Sequence, residues 1–471
     1  METSISDLWV CQVERLNRSE LISKLKCDVF VGGCLRTGIL GGGLTGLTLS
    51  YLLSRKGVDT EVLEKEPELG GLMRTIREDG FAFDCGGSHV IFSKNKEALD
   101  FILNVLGENK VGQKRNTKIL YGGSYVKYPF ENGLADLPKQ ENFECLYSFI
   151  ENLLAKEKGE AKKPVNLKEW FLYTFGSAIA QKYLIPYNQK IWKHPLEDLT
   201  LDWVERVPNP PVADIVKSSL GIGTEGYTHQ VHFYYPLRGG IQSVIESLAK
   251  QARGKLAVGF DIKKVRREGD CWVVSAGKQE RVYDKIISTI PIRALIKALD
   301  APKSVGDAVE DLKHNSLVSV MLGLNIAKLN DLSWLYIPEK TSLPHRVSFP
   351  SNYSPFVSPQ GKSSVLAEIT CRKDDGIWEM EDEEIIHQVI DDLHRLRILD
   401  KKTVCFAKAK RSAYAYVLND MKYGENLKTV KTFVKEAGID LLGRFSEFKY
   451  LNMDACVENA LNYVKEKFKN T

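Results

Sequence analysis

The segment from residue 36 to residue 75 constrains the fold of this chain more than any other. Its letters, RTGILGGGLTGLTLSYLLSRKGVDTEVLEKEPELGGLMRT, predict a strand, a glycine turn, a helix and a second strand. Gly41, Gly43 and Gly46 have the G-x-G-x-x-G spacing, which permits a tight turn, close approach of the backbone to a pyrophosphate and close packing of helix on strand. Glu64 ends the second strand, where its carboxylate can accept hydrogen bonds from both ribose hydroxyls. The pattern predicts a Rossmann-like unit that binds a dinucleotide at the N-terminus of its helix.

The residues after Glu64 indicate which dinucleotide is bound. A second glycine pair, Gly70 and Gly71, is followed by Arg74, and the sequence FAFDCGGSHVIFS comes next. This arrangement resembles the extended fingerprint of FAD-binding proteins in the superfamily of amine oxidases, protoporphyrinogen oxidases and UDP-galactopyranose mutases. The resemblance implies FAD as the cofactor, with a basic residue at its phosphates and the second glycine segment beneath the isoalloxazine ring.

The resemblance also implies further contacts to FAD along the chain. Besides the three glycines and Glu64 of the fingerprint, the implied cofactor-binding residues are Lys65, Gly71, Leu72, Arg74, Gly87, Ser88, Ile262, Gly443, Arg444 and Asp454. From the residues alone, the less favoured alternative is that Gly86 and Gly87 form a turn between two strands.

Chain length and the spacing of these segments predict several packed units. At 471 residues the chain is too long for a single hydrophobic core. We predict an α/β architecture, in which a Rossmann-like FAD-binding domain with a parallel sheet carries an inserted helical domain and a substrate domain built mainly on an antiparallel sheet. The predicted ranges are 1–35 for an N-terminal extension, 36–96, 226–300 and 413–471 for the FAD-binding domain, 97–225 for a helical substrate or lid domain, and 301–412 for the sheet domain.

The sequence FGSAIAQKYLIPYNQKIWKHPLEDLTLDWVERV lies in the predicted helical domain. Its phenylalanine-glycine pair, its P-Y-N-x-K-x-W motif and its W-x-x-E-R-V motif resemble the signature of UDP-galactopyranose mutases, and more closely that of their eukaryotic-type branch. An earlier Y-P-F loop and a later Tyr336, Arg346 and Tyr353 series follow the same family pattern. The resemblance extends over nearly the whole chain from about Arg36 onward.

The mutase resemblance implies a UDP-sugar as substrate and a role for each matching residue. Arg206 and Arg346 match the family's pyrophosphate clamp, a task suited to a planar guanidinium that stays charged. His89 matches a histidine beside the flavin, and we count it with these two arginines as catalytic. The implied substrate-binding residues are Tyr128, Phe130 and Tyr336 around uracil, Asn188 and Trp192 at the sugar, and Tyr353, Tyr416 and Tyr450 at phosphate oxygens.

The implied reaction interconverts the pyranose and furanose forms of the sugar. In the family, reduced FAD is the nucleophile through its N5 atom, and no net oxidation occurs. This accords with the lack of an obvious Ser/His/Asp triad or carboxylate pair in the sequence. NAD(P)H is a candidate external reductant. One departure from the family concerns the base, because Glu131 stands where the uracil loop usually has glutamine.

Two other functions compete with the mutase interpretation. An FAD-dependent oxidoreductase of the amine oxidase or protoporphyrinogen oxidase type would share the nucleotide domain but would have a hydrophobic substrate pocket and no arginine clamp. A non-catalytic flavoprotein or nucleotide-sugar-binding module would be expected to have lost the sugar-side residues. The presence of Arg206, Arg346, Asn188 and Trp192 favours the enzyme that acts on a nucleotide sugar.

Composition excludes several other classes of function. A net charge of +4 is too small to predict nucleic-acid binding, and nine cysteines without a C-x-x-C pair favour buried thiols in a reducing compartment over disulfides or a metal site. No stretch approaches the roughly 20 apolar residues of a membrane span. We therefore expect a cytoplasmic protein with no metal and no membrane insertion, which could form a homo-oligomer. Residues 1–34 are either a helical extension or the product of a start codon assigned too early.

Overall fold

The computed structural model describes residues 35–224 and 231–469, except for the side chains of Glu205 and Arg206. Apart from Leu35, the predicted N-terminal extension lies outside these residues. The strands are β1 Arg36–Leu40, β2 Asp59–Leu63, β3 Thr75–Glu78, β4 Phe81–Asp84, β5 Val111–Lys114, β6 Thr117–Tyr121, β7 Ser124–Lys127, β8 His232–Tyr235, β9 Lys255–Ala257, β10 Lys264–Glu268, β11 Cys271–Ala276, β12 Gln279–Tyr283, β13 Lys285–Ser288, β14 His314–Leu324, β15 Trp334–Tyr336, β16 Arg346–Ser348, β17 Ser363–Cys371, β18 Val404–Val417 and β19 Asp440–Leu441. The α-helices are Leu44–Arg55, Lys96–Leu106, Lys139–Glu157, Leu167–Ile179, Ile185–Trp192, Val212–Ser219, Gln242–Gln251, Ile292–Ala298, Lys303–Glu310, Asp382–Arg395, Tyr423–Glu436 and Met453–Lys467.

A parallel sheet with the strand order β19-β13-β1-β2-β9 forms the centre of the nucleotide domain. Its strands come from three separated parts of the chain, all of them within the ranges predicted for the FAD-binding domain. Ile39, Val62 and Ile287 on these strands are fully buried beneath the helices. Strands buried on both faces are typical of parallel sheets, so the predicted Rossmann-like architecture is confirmed.

The second large sheet has the order β18-β14-β17-β16-β15-β6-β7 and is antiparallel except between β15 and β6. The mainly antiparallel substrate sheet is therefore confirmed as well. On one face, Val347, Ala367 and Ile369 pack with the helix Asp382–Arg395. Because side chains alternate along a strand, Arg346 and Glu368 lie on the opposite face. The sequence thereby places two ionisable groups side by side in neighbouring strands.

The structure adds strands to the segment 97–225, which we expected to consist mostly of helices and connecting loops. The hairpin of β6 and β7 completes one edge of the substrate sheet, while β5 pairs with β8. The turn between β6 and β7 contains Gly122 and Gly123, both with positive φ, as a two-residue hairpin turn requires. These strands are only four or five residues long, which is too short for a strong alternation signal. The domain boundaries themselves stay a prediction.

The helix Ile185–Trp192 is held in place from both sides. It follows a π-helical turn, Ala180–Leu184, and has Pro186 in its first turn, where the missing N–H costs nothing. The Lys190 ammonium lies within hydrogen-bonding distance of four oxygens in the loop after β15, namely the carbonyls of Ile337, Glu339 and Pro344 and the Ser342 hydroxyl. This network fixes the helix against the substrate sheet.

No helix within 35–224 or 231–469 is long and apolar enough to cross a membrane. In the same ranges, no group of three or more His, Cys, Asp and Glu side chains is arranged to hold a metal ion.

Candidate active site

A cavity of about 900 Å³ runs from the glycine turn of the nucleotide domain to the helix Ile185–Trp192. Its walls come from the nucleotide domain, from the helical segment and from the free face of the substrate sheet. One continuous space of this kind can hold a cofactor and a substrate end to end.

The glycine turn forms the first end of the cavity, and each glycine has a geometric reason. Gly41 has a φ of +106°, which favours glycine. A Cβ on Gly46 would lie 2.0 Å from the Gly41 carbonyl oxygen, so only glycine permits this approach of helix to strand. A Cβ on Gly43 would meet no protein atom within 4 Å. Gly43 therefore borders open cavity, as a backbone site for a pyrophosphate should.

Glu64 is buried where the ribose of a dinucleotide is expected. One of its carboxylate oxygens accepts the N–H of Gly42 at 2.8 Å, and the other accepts the N–H of Glu66 at 3.0 Å. An ionised carboxylate has about four acceptor positions, so both oxygens can still accept ribose hydroxyls. Lys65, Leu72, Arg74 and Ile262 line the same part of the cavity.

Arg74 is held near the second glycine pair. Its Nε donates to the Gly71 carbonyl at 3.2 Å, and its Nη1 lies 3.6 Å from a Glu66 oxygen. The guanidinium is thus oriented by the protein while it lines the cavity.

The segment from Gly86 to His89 forms the middle of the cavity wall. Gly87 has a φ of +92°, and a Cβ there would lie 2.8 Å from a Glu368 oxygen. The Ser88 N–H donates to Glu368 at 3.2 Å. The His89 Nδ1 donates to the Gly87 carbonyl at 2.8 Å, and burial lowers the pKa of His89 to about 4. His89 is therefore neutral at ordinary pH and offers Nε2 as an acceptor.

Residues from the C-terminal part of the chain close this region. Gly443 has a φ of +94° and packs against Thr45 of the fingerprint helix. The Arg444 guanidinium donates to two backbone carbonyls and lies 4.1 Å from the centre of the Tyr450 ring. Its Nε is buried without a partner among the residues described. Asp454, in the first turn of the last helix, accepts the Ser93 hydroxyl at 2.7 Å.

Arg346 lines the cavity as half of a two-pronged ion pair. Its Nε and Nη2 donate to the two oxygens of Glu368 at 2.8 and 2.6 Å. Glu368 is fully buried, and its charge is the main cause that raises the pKa of Arg346. Nη1 forms no hydrogen bond with any residue in the described ranges, which leaves it for a ligand. This guanidinium is therefore charge-paired within the protein, and its predicted role at a pyrophosphate stays a prediction.

The far end of the cavity is lined by aromatic and amide side chains. The Tyr336 ring lies 5.0 Å from that of Tyr128 and 5.3 Å from that of Tyr187, measured between ring centres. Asn188 is buried, its Nδ2 donating to the Leu184 carbonyl at 2.7 Å. Tyr416 and Tyr450 stack at 5.9 Å with an interplanar angle of 11° and also line the cavity.

Three residues predicted to bind substrate do not line the cavity. Tyr353 is buried in the core, where its hydroxyl donates to the Ser333 carbonyl at 3.0 Å and its ring packs on Phe233. Phe130 is fully buried against Tyr183, with ring centres 5.0 Å apart. Trp192 lies behind Asn188 and donates from Nε1 to the Asn188 Oδ1 at 3.0 Å. We correct their role to packing behind the wall. The Arg206 side chain lies outside the described part of the chain.

Comparison with known proteins identifies a protein family for this chain. The family model described as flavin containing amine oxidoreductase matches residues 44–407. The chain belongs to this family. The coproporphyrinogen III oxidase of Bacillus subtilis is 20% identical to it over 395 residues, which is 76% of this chain and 82% of the relative. The UDP-galactopyranose mutase of Mycoplasma pneumoniae is 27% identical over 193 residues, or 39% of this chain and 44% of the relative.

A solved structure of reduced UDP-galactopyranose mutase superimposes on this flavin containing amine oxidoreductase family member with a TM-score of 0.84. The alignment covers 93% of this chain and 96% of the other, at 23% identity. At that identity the likeness supports the fold alone, so the reaction must be argued from the site.

The residues of this amine oxidoreductase family member fit the FAD that the family implies. The open space before Gly43, the buried carboxylate of Glu64 and the oriented Arg74 supply the sites that a pyrophosphate and a ribose need. The buried Arg444 Nε is a further donor in the cavity wall that lacks an acceptor among the described residues. Which of the individual residues contact FAD stays a prediction.

Several residues that line or order this family member's cavity were not singled out from the sequence. Tyr183, Tyr187 and His345 line it, and Glu368 orients Arg346. The His345 Nε2 is buried without a partner in the described part of the chain, and burial lowers the pKa of this imidazole well below its usual value. Tyr187 was part of the quoted P-Y-N motif and could have been found from it. Glu368 could be found only from the pairing of β16 with β17.

Proposed function

We propose that the protein is a flavin-dependent mutase that interconverts the pyranose and furanose forms of a UDP-sugar, as in the eukaryotic-type branch of UDP-galactopyranose mutases. The observation that carries the proposal is the continuity of one cavity from the glycine turn to a wall of tyrosines, an asparagine and a guanidinium. A wall of this chemistry suits a sugar and a pyrophosphate better than it suits an apolar substrate.

Each part of the wall has a task in this proposal. Tyr128 and Tyr336 bind the base, Asn188 faces the sugar, and Arg346, Tyr416 and Tyr450 bind the pyrophosphate. Glu368 orients the Arg346 guanidinium so that Nη1 points its hydrogens at a phosphate oxygen, a group that gains charge as the C1–phosphate bond breaks. Reduced flavin, when bound, supplies the nucleophile for the sugar carbon.

His89 has a role through its protonation state. With a pKa of about 4 it is a neutral acceptor, so it adds no positive charge beside a reduced and electron-rich flavin at neutral pH. We therefore propose that His89 positions the flavin through a hydrogen bond. We also propose NAD(P)H as the external reductant of the flavin.

Binding of UDP tests the substrate class. Because the base and pyrophosphate sites lie in the same cavity as the flavin site, saturating UDP is expected to change the flavin fluorescence of the holoprotein with a hyperbolic dependence on UDP concentration. Adenosine diphosphate is the control for the base and should compete at least tenfold more weakly. An unchanged flavin signal at millimolar UDP, in a protein that retains its flavin, would contradict the proposal.

An oxidoreductase is the second candidate. The alignment with coproporphyrinogen III oxidase, which covers more of this chain than the mutase alignment does, favours it. The aromatic end of the cavity at Tyr128, Tyr183 and Tyr187 could also accept a planar apolar substrate. Failure of UDP to bind, together with substrate-dependent flavin reduction by a porphyrinogen or an amine, would support this candidate.

A further inference from the structure

Glu131 lines the far end of the cavity and is almost completely buried, at 1% exposure. It lies in the 3-10 helix Phe130–Asn132, all three residues of which are buried. The Asn132 amide donates to the Thr224 hydroxyl at 2.8 Å, and the Leu134 N–H donates to the Ser218 hydroxyl at 3.1 Å. These two hydrogen bonds hold the loop that carries Glu131 against its neighbours at the cavity wall.

The carboxyl of Glu131 has no ion-pair partner and no hydrogen bond to another side chain within 35–224 or 231–469. The helix Val212–Ser219 buries Ile215 and Ser218 on its inner side, and the helix Leu167–Ile179 buries Phe171 and Phe175. These are uncharged groups, and an unpaired carboxylate in such surroundings is costly.

The titratable and charged groups near this loop do not neutralise the carboxyl. Tyr128 and Tyr183 line the same cavity as Glu131, and burial is the main cause that raises the pKa of Tyr183, with the charge of Glu131 a smaller cause. The Lys127 ammonium is bound to the Thr224 carbonyl, and the Arg115 guanidinium lies over the Tyr128 ring. Burial consequently raises the pKa of Glu131 to about 8.

We propose that Glu131 recognises the base of the nucleotide as a neutral carboxylic acid, donating its O–H to a ring carbonyl and accepting a ring N–H. This inference rests on the proposed nucleotide-sugar function. A protonated carboxyl presents one donor and one acceptor side by side. The O4 and N3–H edge of uracil is its complement, whereas a carboxylate would repel O4. A guanine edge with two N–H donors would fit only the ionised form.

The direction of the pH dependence follows from this assignment. The acid form binds, so affinity for UDP is full below the pKa of Glu131 and falls as pH rises through about 8. With one proton required, UDP should bind about tenfold more weakly at about pH 9 than at about pH 7.

Titrations of the flavin-loaded protein with UDP at these two pH values test the inference, with Glu131→Gln as the matched variant. Glutamine has nearly the same shape as glutamic acid and keeps a donor and an acceptor at every pH. The UDP affinity of Glu131→Gln, measured in the same buffers, should therefore differ by no more than about twofold between about pH 7 and about pH 9. Any pH dependence of UDP affinity that remains in Glu131→Gln measures the titration of UDP itself. Glu131→Leu should weaken UDP binding at both pH values, and flavin retention checks that each variant is folded.

The outcomes separate the two proposals. A pH-dependent loss of affinity in the wild type that is absent in Glu131→Gln supports the role of Glu131. Identical pH profiles in these two proteins, with UDP bound normally, overturn it and leave the mutase proposal standing. Absence of UDP binding in the wild type at about pH 7 contradicts the proposed function and the inference with it.

Discussion

Replacing Arg346 with alanine is expected to lower mutase turnover by about 10²-fold or more and, separately, to destabilise the fold. The loss of turnover follows because a preorganised donor at the developing phosphate charge is removed. The loss of stability follows because Glu368, which is fully buried, would lose the guanidinium that pairs with both of its oxygens. Breaking such a pair from one side typically costs about 3–5 kcal/mol of unfolding free energy.

Two further variants distinguish these effects. Arg346→Ala combined with Glu368→Ala removes both charges, so it should recover part of the lost unfolding free energy but none of the turnover. Lys465→Ala is the control for an exposed ion pair, because Lys465 pairs with Glu97 at the surface and its replacement should cost less than about 1 kcal/mol of unfolding free energy. Denaturant unfolding and a turnover assay on flavin-loaded protein measure both quantities. Near-normal turnover of folded Arg346→Ala would refute its role at the phosphate.

Replacing Gly43 with alanine is expected to remove flavin binding without harming the fold. The added Cβ meets no protein atom, so the unfolding free energy of the flavin-free protein should stay within about 0.5 kcal/mol of the wild type. The same Cβ occupies the space that a pyrophosphate would enter, so the affinity for FAD should fall at least tenfold. Flavin content after purification and titration of flavin-free protein with FAD give the result.

Gly46→Ala and Gly306→Ala are the matched substitutions. A Cβ on Gly46 collides with the Gly41 carbonyl, so this variant should lose about 1–3 kcal/mol of unfolding free energy even without flavin. Gly306 lies in the helix Lys303–Glu310 with no atom near its Cβ, so alanine there should leave FAD affinity unchanged. Wild-type FAD affinity in Gly43→Ala would contradict the placement of the pyrophosphate.

The sequence allowed the nucleotide domain to be predicted well because its constraints are local. The glycine turn, the helix after it and Glu64 lie within one short segment. Gly41 is required by its positive φ, Gly46 by the close approach of the Gly41 carbonyl, and Gly43 borders open cavity. Motif order also placed Tyr128, Asn188 and Tyr336 in one cavity, although they come from distant parts of the chain.

The burial depth of a side chain and the pairing of strands distant in sequence could not be predicted in the same way. Trp192 and Asn188 lie one helical turn apart, and the motif does not tell which of them faces the cavity. Tyr353 follows a short 3-10 helix that turns it into the core. Glu368 meets Arg346 only through the register of two strands separated by a long loop. The hairpin of β6 and β7 was missed because strands this short carry little periodicity.

We propose, as the central claim, that this cavity rearranges a nucleotide sugar without net oxidation. Anaerobic incubation of the dithionite-reduced protein with UDP-galactofuranose tests it most directly, with UDP-sugars separated by chromatography while the flavin absorbance is followed in the same sample. The predicted result is many turnovers to UDP-galactopyranose per flavin with the flavin still reduced at the end, and no turnover by the oxidised protein. A protein that retains its flavin and binds UDP yet forms no UDP-galactopyranose would contradict the claim.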